Sequence, residues 1–158
     1  MAMIRKASAV RKKLHMLIYG EQGTGKSRTA MQLCYLKNAD GKPFRVLYLD
    51  TENGSIDNYT EELEANGVNP DNLLIVYTQS LAEVQDYIKM VTNDEDIEDE
   101  NGDVYLDADS KPFRADALVV DSASILKMTA TQGLTAFSQK RAKVKAASQG
   151  LTGDEKAV

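Results

Sequence analysis

The chain has 158 residues, with 19 Lys and Arg against 24 Asp and Glu and a formal net charge of −5. That length suffices for one domain with a real core but not for two ordinary ones, and the negative balance argues against a protein that coats nucleic acid over its whole surface. With a single cysteine, Cys34, and no apolar run of membrane-spanning length, a disulfide scaffold and a transmembrane helix are excluded and a reduced, cytoplasmic protein without a membrane partner is expected.

The chain opens on a purely basic arm, residues 1–13, carrying Arg5, Lys6, Arg11, Lys12 and Lys13. Leu14 to Tyr19 reads as a strand, and Lys26 to Lys37 reads as a helix. Between them Gly20-Glu21-Gln22-Gly23-Thr24-Gly25-Lys26-Ser27 fits G-x-x-x-x-G-K-[ST], the phosphate-binding P-loop. Glycines let the backbone curl until successive N–H groups face a triphosphate, with Arg28 just beyond. Lys26 is placed to reach the β- and γ-phosphates, and the Ser27 hydroxyl to take one position on Mg²⁺. This stretch predicts a nucleoside triphosphate site. His15, at the start of the preceding strand, reads as a packing or edge residue, because there is no second histidine to form a metal pair. Cys34 reads as a small buried hydrophobe.

A second strand is expected over Phe44 to Asp50, after a turn at Asp40-Gly41-Lys42-Pro43. A short helix follows across Ile56 to Asn66, with Ile56, Tyr59 and Leu63 on one face and Gly67 at its C-terminal end. Leu73 to Tyr77 is a third strand. Ser80-Leu81-Ala82-Glu83 forms a capping box; the helix it opens carries Leu81, Val84, Tyr87, Ile88 and Val91 on one stripe. Residues 93–116 form an acidic insert, rich in Asp and Glu from Asp94 to Asp109. Val104-Tyr105-Leu106 and Pro112-Phe113-Arg114 read as a small hairpin projecting from the core. Ala117 to Asp121 is a fourth strand, and helix follows from about Ile125 to Ala147, basic at Lys140, Arg141, Lys143 and Lys145. Residues 149–158 are a polar tail. The charged blocks read as solvated faces or as docking surfaces for nucleic acid or a neighbouring subunit. Apolar strands alternating with helices predict an α/β fold: a mostly parallel sheet covered on both faces, spanning residues 14–148.

Two strand ends supply the rest of a candidate site. Ala117-Leu118-Val119-Val120-Asp121 is an apolar strand ending in an acid, the Walker B pattern, which puts a Mg²⁺-holding carboxylate at the sheet's C-terminal edge. Leu47-Tyr48-Leu49-Asp50-Thr51-Glu52 brings two acids to the same edge, where a carboxylate can orient and deprotonate the water attacking the γ-phosphate. Asp50 and Glu52 both qualify, and their spacing leaves the choice open. Ser122 and Ser124 are placed for local bonds at the strand end.

Leu49-Asp50-Thr51-Glu52 resembles the strand end that carries the catalytic glutamate in RecA-like recombination ATPases. Gly67-Val68-Asn69-Pro70-Asp71-Asn72-Leu73-Leu74 and Ala115-Asp116-Ala117-Leu118-Val119-Val120-Asp121-Ser122 extend the likeness, which runs from about Leu14 to Ile125 and is nearest the small RecA-like ATPases of phages and prophages. The resemblance implies a P-loop ATPase that binds Mg²⁺ and ATP and acts in DNA recombination, repair or single-strand annealing. It implies single-stranded DNA as a partner and a homo-oligomer when complete. It also assigns roles: Lys26 and Ser27 to phosphate and Mg²⁺, Glu52 to the catalytic base, Asp121 to the Walker B acid. One departure stands out. The family's strand after Walker B lies between the Walker B and P-loop strands, and no such strand follows Asp121 in this sequence. An N-terminal portion of a longer ATPase is the expectation, the alternative being that the Walker B and P-loop strands close up on each other in a non-standard way.

Two other functions fit the P-loop. A non-catalytic module, in which nucleotide organises an oligomer, fits the missing strand. A small-molecule kinase needs an arginine-bearing lid, and the only insert is carboxylate-rich. No Asn-Lys-x-Asp segment marks a GTPase. As an arginine finger Arg28, Arg114 and Arg141 stand equal.

Overall fold

Val46–Asp50, β1, is buried along its whole length because a parallel strand lies on either side of it. The computed structural model describes residues 14–54 and 56–148; the basic arm at 1–13 and the tail at 149–158 lie outside them. Leu73–Tyr77, β2, and Ala117–Asp121, β3, flank β1 in the order β2-β1-β3. Val46 pairs with Leu73 on one side and Ala117 on the other, and Asp50 with Tyr77 and Asp121. All three strands therefore end at one edge.

Alternation along the strands divides the core in two. Val46 and Tyr48 face one cluster, and Leu47 and Leu49 face the other. Each buried leucine contributes about 1.5–3 kcal/mol. Lys26–Met31, α1, and Asp57–Ala65, α2, cover the first face with Met31 and Leu63. Leu81–Asn93, α3, covers the second with Val84, Tyr87 and Val91. The chain leaves β1 in one direction for β2 and then crosses back over β1 to β3. Right-handed crossovers in opposite directions require α2 and α3 to lie on opposite faces.

Local signals set the helix ends. Gly67, at φ 85°, ends α2: its N–H donates to Glu64 O at 2.9 Å and the Val68 N–H to Leu63 O at 3.0 Å. This is a Schellman turn, with Val68 folded back onto the cluster that contains Leu63. Ser80 Oγ accepts the Glu83 N–H at 3.3 Å and caps α3. The reciprocal half of the expected capping box does not form, because Glu83 takes the Thr78 hydroxyl instead. Leu81 and Ile88 lie exposed at the rim of the α3 stripe.

The structure departs from the sequence-based expectations in four further places. Leu14 to Tyr19 forms no strand, and Leu14, Met16, Leu17 and Tyr19 are exposed. A strand needs a partner ladder, and among the described residues β3 pairs with β1 only. His15 is likewise exposed. The helix after the P-loop is shorter than expected: α1 ends at Met31 and continues as a 3₁₀ turn over Gln32–Tyr35. Cys34 in that turn is buried, which pushes its thiol up to about 11.

The acidic insert does not project. Antiparallel bridges join Leu106 to Pro112 and Glu98 to Val104, while Ile97 and Phe113 enter the second core cluster. Arg45 ties the insert and the start of β3 to β1, its Nε donating to Asp116 Oδ2 at 2.9 Å and its Nη1 to Asp107 Oδ2 at 3.4 Å. Finally, the last helix starts earlier than expected. Ala123–Ser148, α4, packs through Leu126, and residues 131–145 are exposed. Among the described residues no helix is long and apolar enough to cross a membrane.

Candidate nucleotide site

The strand order reverses at β1, and parallel α/β sheets present ligand-binding groups beyond the carboxyl ends of their strands at such a point. Hydrogen bonds bring Ser27 to Asp121 and Glu52 to Ser122 at that edge. Residues 20–25 form an exposed or half-exposed loop leading into α1. Gly25 is the N-cap of α1 at φ 81°, a left-handed conformation in which a side chain is strained. Lys26 Nζ and Thr24 Oγ1 each donate to Glu21 O at 2.8 Å, so the Lys26 ammonium spans the loop. Arg28 is engaged on α2, where Nη2 donates to Glu62 Oε1 at 2.7 Å. That neighbour raises its pKa above the ordinary guanidinium value.

At the second position of α1, Ser27 Oγ donates to Asp121 Oδ2 at 2.5 Å. The register that carries Asp121 to the end of β3, beside Asp50, thus brings it to the loop. A serine oxygen that donates its proton to a carboxylate keeps its lone pairs for a cation. Mg²⁺ takes oxygen ligands, commonly one or two from protein and the rest from water and phosphate. Ser27 Oγ and the Asp121 carboxylate are such a donor set, and the curled loop with Lys26 suits a polyphosphate. The residues present fit Mg²⁺ and a nucleotide.

The two acids after β1 part company. Asp50 is fully buried; its Oδ1 accepts the Glu52 N–H and its Oδ2 the Gly54 N–H, each at 2.9 Å. Its carboxylate holds the turn that follows the strand. Glu52 lies within that turn, exposed, with Oε1 accepting the Ser122 hydroxyl at 2.9 Å. Thr51 locks the two strand ends together: Oγ1 donates to Ser122 O and accepts the Ser122 N–H, both at 2.8 Å. The side chain of Gln79, beyond β2, donates to Thr51 O at 3.1 Å.

Sequence reasoning missed Tyr48, Thr51 and Gln79. Tyr48 is fully buried, and its hydroxyl donates to Asp121 Oδ2 at 2.6 Å. Burial, and then that bond, push the phenol pKa far above its ordinary value. Its one sequence signal is a polar tip inside an otherwise apolar strand, two residues before Asp50. Thr51 and Gln79 carry no comparable signal.

A family model described as an AAA domain matches residues 12–152. No curated protein and no solved structure shows significant similarity to the chain.

Proposed function

The chain belongs to the AAA domain family of nucleotide-binding P-loop ATPases, and from that premise we propose that it binds Mg²⁺-ATP, hydrolyses it, and couples the reaction to work on DNA. The observation that carries the reading is the 2.5 Å contact between Ser27 Oγ and Asp121 Oδ2, which joins the loop of one motif to the acid of the other. The backbone of Gly20 to Gly25 cradles the phosphates, and Lys26 exchanges its bond to Glu21 O for the β- and γ-phosphate oxygens. Ser27 and Asp121 hold Mg²⁺, which when bound neutralises charge on those oxygens.

Glu52 is the base. It accepts a proton from the attacking water as the water oxygen bonds the γ-phosphorus, and the bond to the β–γ bridging oxygen breaks to release ADP. Ser122 holds Glu52 beside the end of β3. Asp50 is set apart from this role because both its oxygens are committed to the turn.

The DNA-linked part of the proposal rests on the likeness to RecA-like ATPases and on α4. That helix bears Lys127, Lys140, Arg141, Lys143 and Lys145 and no carboxylate, a charge pattern suited to phosphates. The test is Mg²⁺-ATP turnover with and without single-stranded DNA. Turnover raised by DNA supports the whole proposal. Turnover indifferent to DNA removes the DNA part, and binding without turnover leaves a nucleotide-organised module.

A further inference from the structure

Asp121 ends a strand that is half-exposed and, among the described residues, pairs on one side only. A carboxylate in that position has rotamers open to solvent, and a metal site needs one of them held. Two donors do so, and both reach the same oxygen. Ser27 Oγ donates to Oδ2 from the loop side at 2.5 Å, and the Tyr48 hydroxyl donates to it from within the sheet at 2.6 Å. Tyr48 pairs in register with Val119, two residues before Asp121 on the same face; that diagonal is within reach of an aromatic side chain. The ring is fixed in the core cluster that contains Met31 and Cys34. We infer that Tyr48 is a positioning residue for the metal site, holding the Asp121 carboxylate turned toward Ser27 before nucleotide arrives.

The inference rests on the Mg²⁺-ATP reading and deepens it. Ser27 opens α1 directly after the loop that takes the nucleotide, and is drawn to the metal when it binds. Tyr48 belongs to the rigid central strand and stays in place. Without it, Asp121 depends on the one group that ligand binding recruits.

The experiment is Tyr48→Phe, which removes one buried oxygen and preserves the ring. Affinity for a fluorescent ATP analogue is measured with Mg²⁺ and with a chelator in its place, alongside thermal melting. The ratio of the two affinities, the Mg²⁺ coupling, is expected to fall about tenfold in the variant, the scale of one hydrogen bond to a charged group. Metal-free affinity stays within about twofold, since the phosphate cradle is untouched. Tyr48→para-aminophenylalanine, which restores a donor at the same place, is expected to recover the coupling and also serves if Tyr48→Phe melts too low to titrate.

A coupling equal to wild type in Tyr48→Phe overturns the inference. So does an equal loss of affinity with and without Mg²⁺ accompanied by a lower melting temperature, which describes a packing residue, or a failure of the donor-bearing variant to recover. A wild-type chain whose nucleotide binding ignores Mg²⁺ overturns the Mg²⁺-ATP reading itself, and this inference with it.

Discussion

Ser27 and Asp121 lie 94 residues apart in the chain and 2.5 Å apart in space. That bond ties α1 to the end of β3, and it orders the oxygen set proposed for Mg²⁺. Ser27→Ala is expected to leave metal-free nucleotide binding intact and remove the gain in affinity that Mg²⁺ brings. The lost bond lowers folding stability by about 1–2 kcal/mol. Paired nucleotide titrations, with Mg²⁺ and with a chelator, check the first expectation, and urea denaturation checks the second.

Glu52→Gln keeps an acceptor for the Ser122 hydroxyl but loses the base. ATP binding is expected to stay within about twofold of wild type, while turnover falls by a factor of about 100 or more. Single-turnover hydrolysis separates the two effects. Wild-type turnover in this variant would assign the base elsewhere.

The contrast between Glu52 and Asp50 also shows what the sequence could convey. The runs Leu73–Tyr77 and Ala117–Asp121 are legible to the residue, because each is a continuous apolar stretch bounded by turn or polar residues. The P-loop is legible because its spacing is its chemistry. Two residues apart, Asp50 and Glu52 look equivalent until the chain is seen to turn after Asp50. Leu14 to Tyr19 has a strand's composition, but pairing is a nonlocal property and among the described residues no neighbour is paired with it. Tyr48 escaped notice for a similar reason. Its tie to Asp121 spans 73 residues and exists only in the register of β1 on β3.

Asp50→Ala removes a fully buried carboxylate and leaves the Glu52 and Gly54 N–H groups without their acceptor. The expected cost is about 3 kcal/mol of folding stability, read from the urea midpoint at unchanged slope. Turnover should fall as well, because the turn that carries Glu52 loses its anchor.

The Arg45–Asp116 pair predicts an acid-sensitive contribution to stability. Burial alone would raise the Asp116 pKa, but the Arg45 guanidinium and backbone N–H outweigh it and the net shift is downward. A carboxyl whose pKa is depressed on folding stabilises fully above its unfolded value, and the benefit is lost as pH falls through the folded value. Asp116→Asn should therefore cost about 1.5–3 kcal/mol at pH 7. The gap to wild type should close as pH drops below about 4. Denaturation curves over a pH series measure it; a gap that persists at low pH would mean the pair is not its source.

The most direct measurement is calorimetric titration of Mg²⁺-ATP into the wild-type chain and into Lys26→Ala. If residues 20–27 are a working phosphate cradle, the wild type binds and the variant binds more weakly by roughly thirty- to a hundredfold, the loss of a charge-assisted bond to phosphate. Equal affinity in the two proteins, or no heat of binding in either, would contradict the account at its root.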